Sequence, residues 1–147
     1  MSVEIKPFTS DQYEQWLPLW QGYLTFYESS VPDEVTKDTW ARFHNEEEPM
    51  WALGAYWDGN LVGMVHYIYH RTCWSSADNC YLQDLYTVPD SRGKGVGRTL
   101  IEAVHEKAAD AGANTVYWMT QESNQTARKL YDRIAVRSGF IHYDKAL

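Results

Sequence analysis

At 147 residues the chain has the length of one domain with a substantial core, and a formal net charge of −7 speaks against a protein that lives on nucleic-acid phosphates and fits a cationic substrate better. Hydrophobic residues at 44% and charged ones at 22% are ordinary for a globular protein; seven Trp and eleven Tyr are many for this length, and a surplus of large aromatics can line a cleft or an oligomer interface. No apolar run is long enough to cross a bilayer, and MSVEIKPF lacks the charged-then-apolar order of a signal peptide. Cys73 and Cys80 are too few for a disulfide framework or a zinc site, so a cytoplasmic protein with free thiols and no membrane contact is expected.

Val3 to Phe8 alternates as a strand. Thr9 and Gln12 then offer a capping box to a helix over Asp11 to Tyr27, along which Trp16, Leu19, Trp20, Tyr23, Phe26 and Tyr27 recur at helical spacing. Pro18 inside that pattern predicts a kink or a break. Glu28 to Pro32 is a loop. A second helix runs from about Asp33 or Thr36 to about Phe43, and the acids Glu46 to Glu48 make a solvated connection. Met50 to Trp57 and Leu61 to Tyr69 are strands around the turn signal Asp58-Gly59-Asn60. Arg71 to Asn79 is a loop, and Cys80 to Val88 is a strand closed by Pro89.

Arg92 to Arg98 reads RGKGVGR, ahead of a helix over Thr99 to Ala111 that Gly112 ends. Asn114 to Thr120 is a strand, Asn124 to Ser138 a helix capped by Ser123 or Asn124, with Ala127, Leu130, Ile134 and Ala135 inward, and Phe140 to Leu147 a final strand. The order β-α-α-β-β-β-α-β-α-β describes one mixed α/β domain over residues 1–147, without repeats or linkers. His66 and His70 share a strand face, with Tyr67 and Tyr69 opposite, and no third ligand accompanies them; no metal site is expected.

Three glycines and three cations at the mouth of a helix make an anion site. A helix start leaves its first N–H groups without intrahelical partners, and glycine lets them approach a phosphate closely. A nucleotide P-loop needs Ser or Thr after its Lys, but Gly95 follows Lys94. A dinucleotide fingerprint needs G-x-G-x-x-G and a later acid. Gly93, Gly95 and Gly97 are spaced G-x-G-x-G, and the next strand ends in Thr120 and Gln121 before Glu122, a poor match.

The pattern that fits is R-x-x-G-x-G after LYTVPDS. With YLQDLYTVPDSRGKGVGRTLIEAV, the strand TVYWMT and NQTARKLYDRIAVRSGFIHY in that order, the chain resembles the GNAT superfamily of acetyl-coenzyme A dependent N-acetyltransferases; LPLWQGYLTFY adds a likeness to its branch of yeast-type histone, polyamine and D-amino acid acetyltransferases. The resemblance implies a GNAT-like fold with acetyl-CoA as cosubstrate. The pyrophosphate would lie on the N–H groups of Arg92, Gly93, Lys94, Gly95, Val96, Gly97 and Arg98, with the pantetheine arm added as a strand along Tyr86, Thr87 and Val88. Val96 is expected to pack inward, while Arg98 is read equally as a solvated residue or a phosphate partner.

Asn124 and Tyr131, two helical turns apart, share a face. By resemblance Asn124 binds the coenzyme and Tyr131 hydrogen-bonds the leaving sulfur and could protonate it; Leu130, Tyr131 and Ile134 also read as an apolar stripe. Asp84 and Glu28 are assigned to a cationic acceptor, a small amine such as a polyamine or amino acid, or a protein lysine, with a surface acid or sheet-edge contact as the alternative for each. The base is left to water or a raised-pKa carboxylate. The alternative function is a non-catalytic acyl-CoA binding or sensing module. Many family members carry two C-terminal strands where one is evident here, so that strand is long and bent or a partner completes the sheet, and a homodimer is the expectation.

Overall fold

The computed structural model describes residues 2–147. β1 (Val3–Pro7), β2 (Met50–Trp57), β3 (Asn60–His70), β4 (Asn79–Thr87) and β5 (Thr115–Tyr117) form one sheet in that order, antiparallel through β4 and parallel between β4 and β5. Ala52 to Ala55 in β2 and Val62 to Tyr67 in β3 are buried residue after residue, which requires that both faces of the sheet be covered. α1 (Tyr13–Phe26) and α2 (Asp33–Phe43) cover one face, where Trp16, Leu19, Trp20, Trp40, Phe43 and Met64 form an aromatic core. α3 (Val96–Asp110) covers the other with Leu100 and Val104 against Val65, Tyr67 and Leu82, and Leu130, Tyr131 and Ile134 of α4 (Gln125–Ile134) pack at its side. Burying a large apolar side chain contributes roughly 1.5–3 kcal/mol, so these two layers supply most of the stabilisation.

The aromatic layer is also hydrogen-bonded. Trp20 Nε1 donates to Thr36 Oγ1 at 3.1 Å and Trp40 Nε1 to the Ser10 carbonyl at 3.3 Å, which ties α1 to α2 and to the β1–α1 connection. Among the described residues no buried side-chain nitrogen or oxygen lacks a partner. Nor is any helix there long and apolar enough to cross a membrane.

Most expected elements are present, and the differences have identifiable causes. The capping box is half formed: Thr9 N–H donates to Gln12 Oε1 at 2.8 Å, but the Thr9 hydroxyl turns to Asp11, so the helix begins at Tyr13. α1 passes Pro18 without a break, held by the buried Trp16, Leu19 and Trp20 around it. In the β2–β3 turn Asp58 (φ 51°) and Gly59 (φ 80°) are both left-handed, as a two-residue type I′ hairpin requires. α3 starts at Val96 rather than Thr99. Gly95 (φ 83°) turns the chain directly into the helix, and Val96, Leu100, Val104 and Ala108, four apart, are all buried.

β5 has three residues rather than seven. It pairs with β4 only at Asn79, Cys80 and Tyr81, and beyond that point β4 is bulged. Tyr67 pairs with Leu82 and His66 with Asp84, which leaves Gln83 unmatched. A bulge bends its strand and increases the twist, and here β4 leaves β5 behind. It also reverses side-chain parity: Leu82 joins Tyr67 in the α3 layer, whereas Asp84 turns with His66 to the α1 face. The final strand expected over Phe140 to Leu147 is not formed, and no strand is present after residue 117. Those residues pair with none of the five strands, and Phe140, Ile141 and Tyr143 are 75–90% exposed. Ala135, expected inward, is exposed just past α4.

Candidate active site

Between Thr87 and Val96 the chain makes a short 3-10 turn at Pro89–Ser91 and then the glycine loop. Among the described residues, the backbone N–H groups from Gly93 to Arg98 donate to no protein acceptor, while Arg92 N–H is taken by the Pro89 carbonyl. Ideal Cβ atoms on Gly93 and Gly95 would meet nothing within 4 Å, so the loop is an open cradle of unpartnered donors at the N-terminus of a 15-residue helix. That chemistry fits a pyrophosphate. The loop's side chains are engaged elsewhere: Arg98 pairs with Glu102 at 2.9 Å, Lys94 lies over the Trp57 ring, and the buried Val96 has only main chain to offer.

The free edge of β4 lies beside the loop. Val88 N–H donates to the Val62 carbonyl at 2.9 Å, so main-chain groups at 88 and, by alternation, at 86 point towards β3. Those of Leu85 and Thr87 face the gap left by β5. Of Tyr86, Thr87 and Val88, only Thr87 therefore presents its backbone to an added strand; its second contact is Leu85, hidden from sequence because the bulge shifts the count. Arg92 Nε donates to the Thr87 carbonyl at 3.0 Å, with its guanidinium over the rings of Phe26 and Tyr86.

On the α1 face, Asp84 is part of a buried polar chain. His66 is 2% exposed; its Nδ1 lies 2.8 Å from Asp84 Oδ2, and its Nε2 accepts from Trp16 Nε1 at 3.0 Å. Burial, the Asp84 charge and a side-chain hydrogen bond to Asp84 together push the Tyr23 hydroxyl far above its ordinary range, and burial followed by the same charge raises Tyr27. These phenols keep their protons and serve as donors. Tyr23, Tyr27, Trp16 and His66 read in the sequence as core aromatics or a discarded metal pair. Only the bulge, which turns Asp84 towards them, marks them as part of a site.

Tyr131 packs against the core on the α3 face of the sheet, its ring edge-on to Trp118 at 5.5 Å. Burial, and then the proximity of Tyr27, push its hydroxyl up to about 12. Tyr27 thus stands within electrostatic reach of both Asp84 and Tyr131, and links the two sides of the cleft. Asn124 is the N-cap of α4, its Oδ1 accepting from Ala127 N–H at 3.3 Å, which leaves its NH₂ as the free donor.

Glu28 is exposed at the end of α1 in a left-handed conformation (φ 53°). Ser29 N–H closes onto the Leu24 carbonyl and Glu28 N–H onto that of Thr25, a Schellman cap usually occupied by glycine. His70, on the strand with His66, hydrogen-bonds Tyr117 Oη at 2.7 Å. Among the described residues no three His, Cys, Asp or Glu side chains gather as a metal site would need, and both cysteines are free, Cys73 exposed and Cys80 buried.

Comparison with known proteins finds a family and a shared fold. The sequence profile of the acetyltransferase (GNAT) family matches residues 13–135. The D-amino-acid N-acetyltransferase HPA3 of Saccharomyces cerevisiae is 34% identical over 145 residues, 97% of this chain and 90% of that protein. The thialysine N-epsilon-acetyltransferase of Bos taurus is 31% identical over 77 residues, 52% of this chain and 45% of that one. Among solved structures, AAC(6′)-Iy in complex with the bisubstrate analogue CoA-S-monomethyl-acetylneamine superposes with a TM-score of 0.85 at 16% identity, covering 100% of this chain and 99% of that chain, a likeness of fold. With the profile spanning most of its length and a relative this similar across nearly all of it, the chain belongs to the acetyltransferase (GNAT) family and is an N-acetyltransferase.

Proposed function

We propose that the chain, residues 1–147 acting as one domain, moves the acetyl group of acetyl-CoA to a primary amine of a small cationic acceptor, an amino-acid-like or polyamine molecule or an exposed lysine. What carries the reading is the juxtaposition of six unpartnered loop N–H groups, an open strand edge at Leu85 and Thr87, and Tyr131 and Asp84 on the two sides of the resulting cleft. The names of the yeast and bovine relatives favour amino-acid-like amines.

The loop N–H groups would hold the pyrophosphate, Leu85 and Thr87 would pair with the pantetheine amides, and the Asn124 NH₂ would donate to the same arm. Acetyl-CoA supplies an activated thioester carbonyl. Tyr131, with a hydroxyl at about 12 facing a thiol near 8.5, would transfer its proton uphill by about 3.5 units or ~5 kcal/mol, so it donates a hydrogen bond to the departing thiolate and keeps the proton. Asp84 receives the acceptor ammonium, with Glu28 at the rim. An amine near 10.4 lies about six units, or ~8 kcal/mol, above an ordinary carboxylate, so Asp84 binds and orients while water carries the proton away.

Incubation with labelled acetyl-CoA and a panel of D- and L-amino acids, polyamines and basic peptides tests the proposal. Transfer to amines, with cationic acceptors preferred, is expected. Tight coenzyme binding without transfer would establish an acyl-CoA binding module instead.

We further propose a homodimer in which the segment from Phe140 to Leu147 pairs along the partner's sheet. The exposed Phe140, Ile141 and Tyr143 and the open outer edge of β5 support it. Sedimentation equilibrium should return twice the chain's 17.1 kDa mass, and truncation after Gly139 should return a monomer; a monomeric full-length chain refutes it.

A further inference from the structure

We infer that the Trp16 indole fixes the tautomer of His66 and so preserves Asp84 as an uncancelled negative charge for the acceptor ammonium, which makes Trp16 and His66 positioning residues of the acceptor site. The inference rests on the reading of Asp84 as the anchor of the amine.

An indole N–H can only donate. Trp16, fully buried, aims it at His66 Nε2 from 3.0 Å, so that nitrogen is the acceptor and the ring's one proton sits on Nδ1, directed at Asp84 Oδ2 2.8 Å away. A second proton on Nε2 would set N–H against N–H. The ring cannot swing aside to avoid this, because the rings of Trp20 and Phe43 lie 5.4 and 4.6 Å from it and Ala52 is its partner across the sheet.

A histidine beside a carboxylate ordinarily gains from becoming an imidazolium, and the pair would then be neutral and indifferent to a cation. With the lock in place His66 orients the carboxylate by a neutral hydrogen bond and leaves its charge intact. The other titratable groups facing Asp84 are the phenols of Tyr23 and Tyr27 on α1 and Tyr81 on β4; burial raises all three, and none cancels the charge. From α2 and β2 the pair meets Phe43 and Ala52, which carry no charge.

The test is Trp16→Phe, which keeps an aromatic ring and removes the donor. The ratio of the amine KM at pH 6 to that at pH 8 should rise roughly tenfold over wild type as His66 becomes free to protonate, with the same ratio for acetyl-CoA unmoved. Adding His66→Asn, an amide that can donate to Asp84 but cannot become a cation, should abolish the rise. A pH ratio equal to that of wild type overturns the inference. Because Trp16→Phe could fail to fold, the tautomer is also read on the wild-type chain without substrate, by long-range ¹H–¹⁵N correlation of the imidazole at pH 6.5. A proton on Nδ1 alone is expected, and an Nε2–H tautomer or an imidazolium overturns the inference. If the lock is observed but Asp84→Asn leaves the amine KM unaltered, the acceptor reading of Asp84 fails and the functional half of the inference falls with it.

Discussion

Replacement of Tyr131 by Phe is expected to lower kcat about 100-fold while the KM for acetyl-CoA stays within about a factor of two. The ring stays, so packing against Trp118 and the α3 layer is kept, and only the donor to the developing thiolate is lost. An interaction made in the transition state and not in the ground state appears in kcat. Because burial holds the hydroxyl at about 12, its proton is present throughout the neutral range, and the loss should be the same from pH 6 to pH 9. Steady-state kinetics at three pH values checks this; a kcat near wild type would remove Tyr131 from the mechanism.

Asp84→Asn should lower kcat/KM for a cationic acceptor about 100-fold, mainly by raising the amine KM, with acetyl-CoA binding kept. The substitution deletes charge and little else. An amide oxygen still accepts from His66 Nδ1–H, so the buried chain from Trp16 stays satisfied and stability should change by no more than about 1 kcal/mol, readable by urea denaturation. Equal losses for cationic and neutral amines would show that Asp84 acts on the reaction and not on the acceptor's charge.

The sequence disclosed the fold where its periodicity met a local rule. β2 was legible to the residue from its apolar run and the turn Asp58-Gly59-Asn60, and the anion loop from glycine spacing. The acceptor side was much less legible. Asp84 could be named as a carboxylate near the loop, but nothing in the one-dimensional pattern says that it meets His66, eighteen residues earlier, or that Trp16 closes the chain from another fifty away. Those contacts come from strand register and from a helix laid across it. The tail over Phe140 to Leu147 misled for a related reason: its alternation is a strand signal, yet a strand needs a partner, and this segment pairs with none of the five strands.

The unmatched Gln83 has a consequence for how the chain can change over time. Leu82 and Asp84 stand two apart and yet face opposite sides of the sheet, one into apolar packing and one into the cleft. Substitution at Gln83 is unconstrained by either layer, since its side chain is exposed and paired with nothing across the ladder. Deletion there is a different event. It would restore the regular count, leave Leu82 opposite Tyr67 and Asp84 opposite His66, and remove the extra residue that bends β4 away from β5. At this position the presence of a residue matters more than its side chain, and an alignment gap here would mark a relative whose β4 runs straighter beside β5, with a narrower cleft.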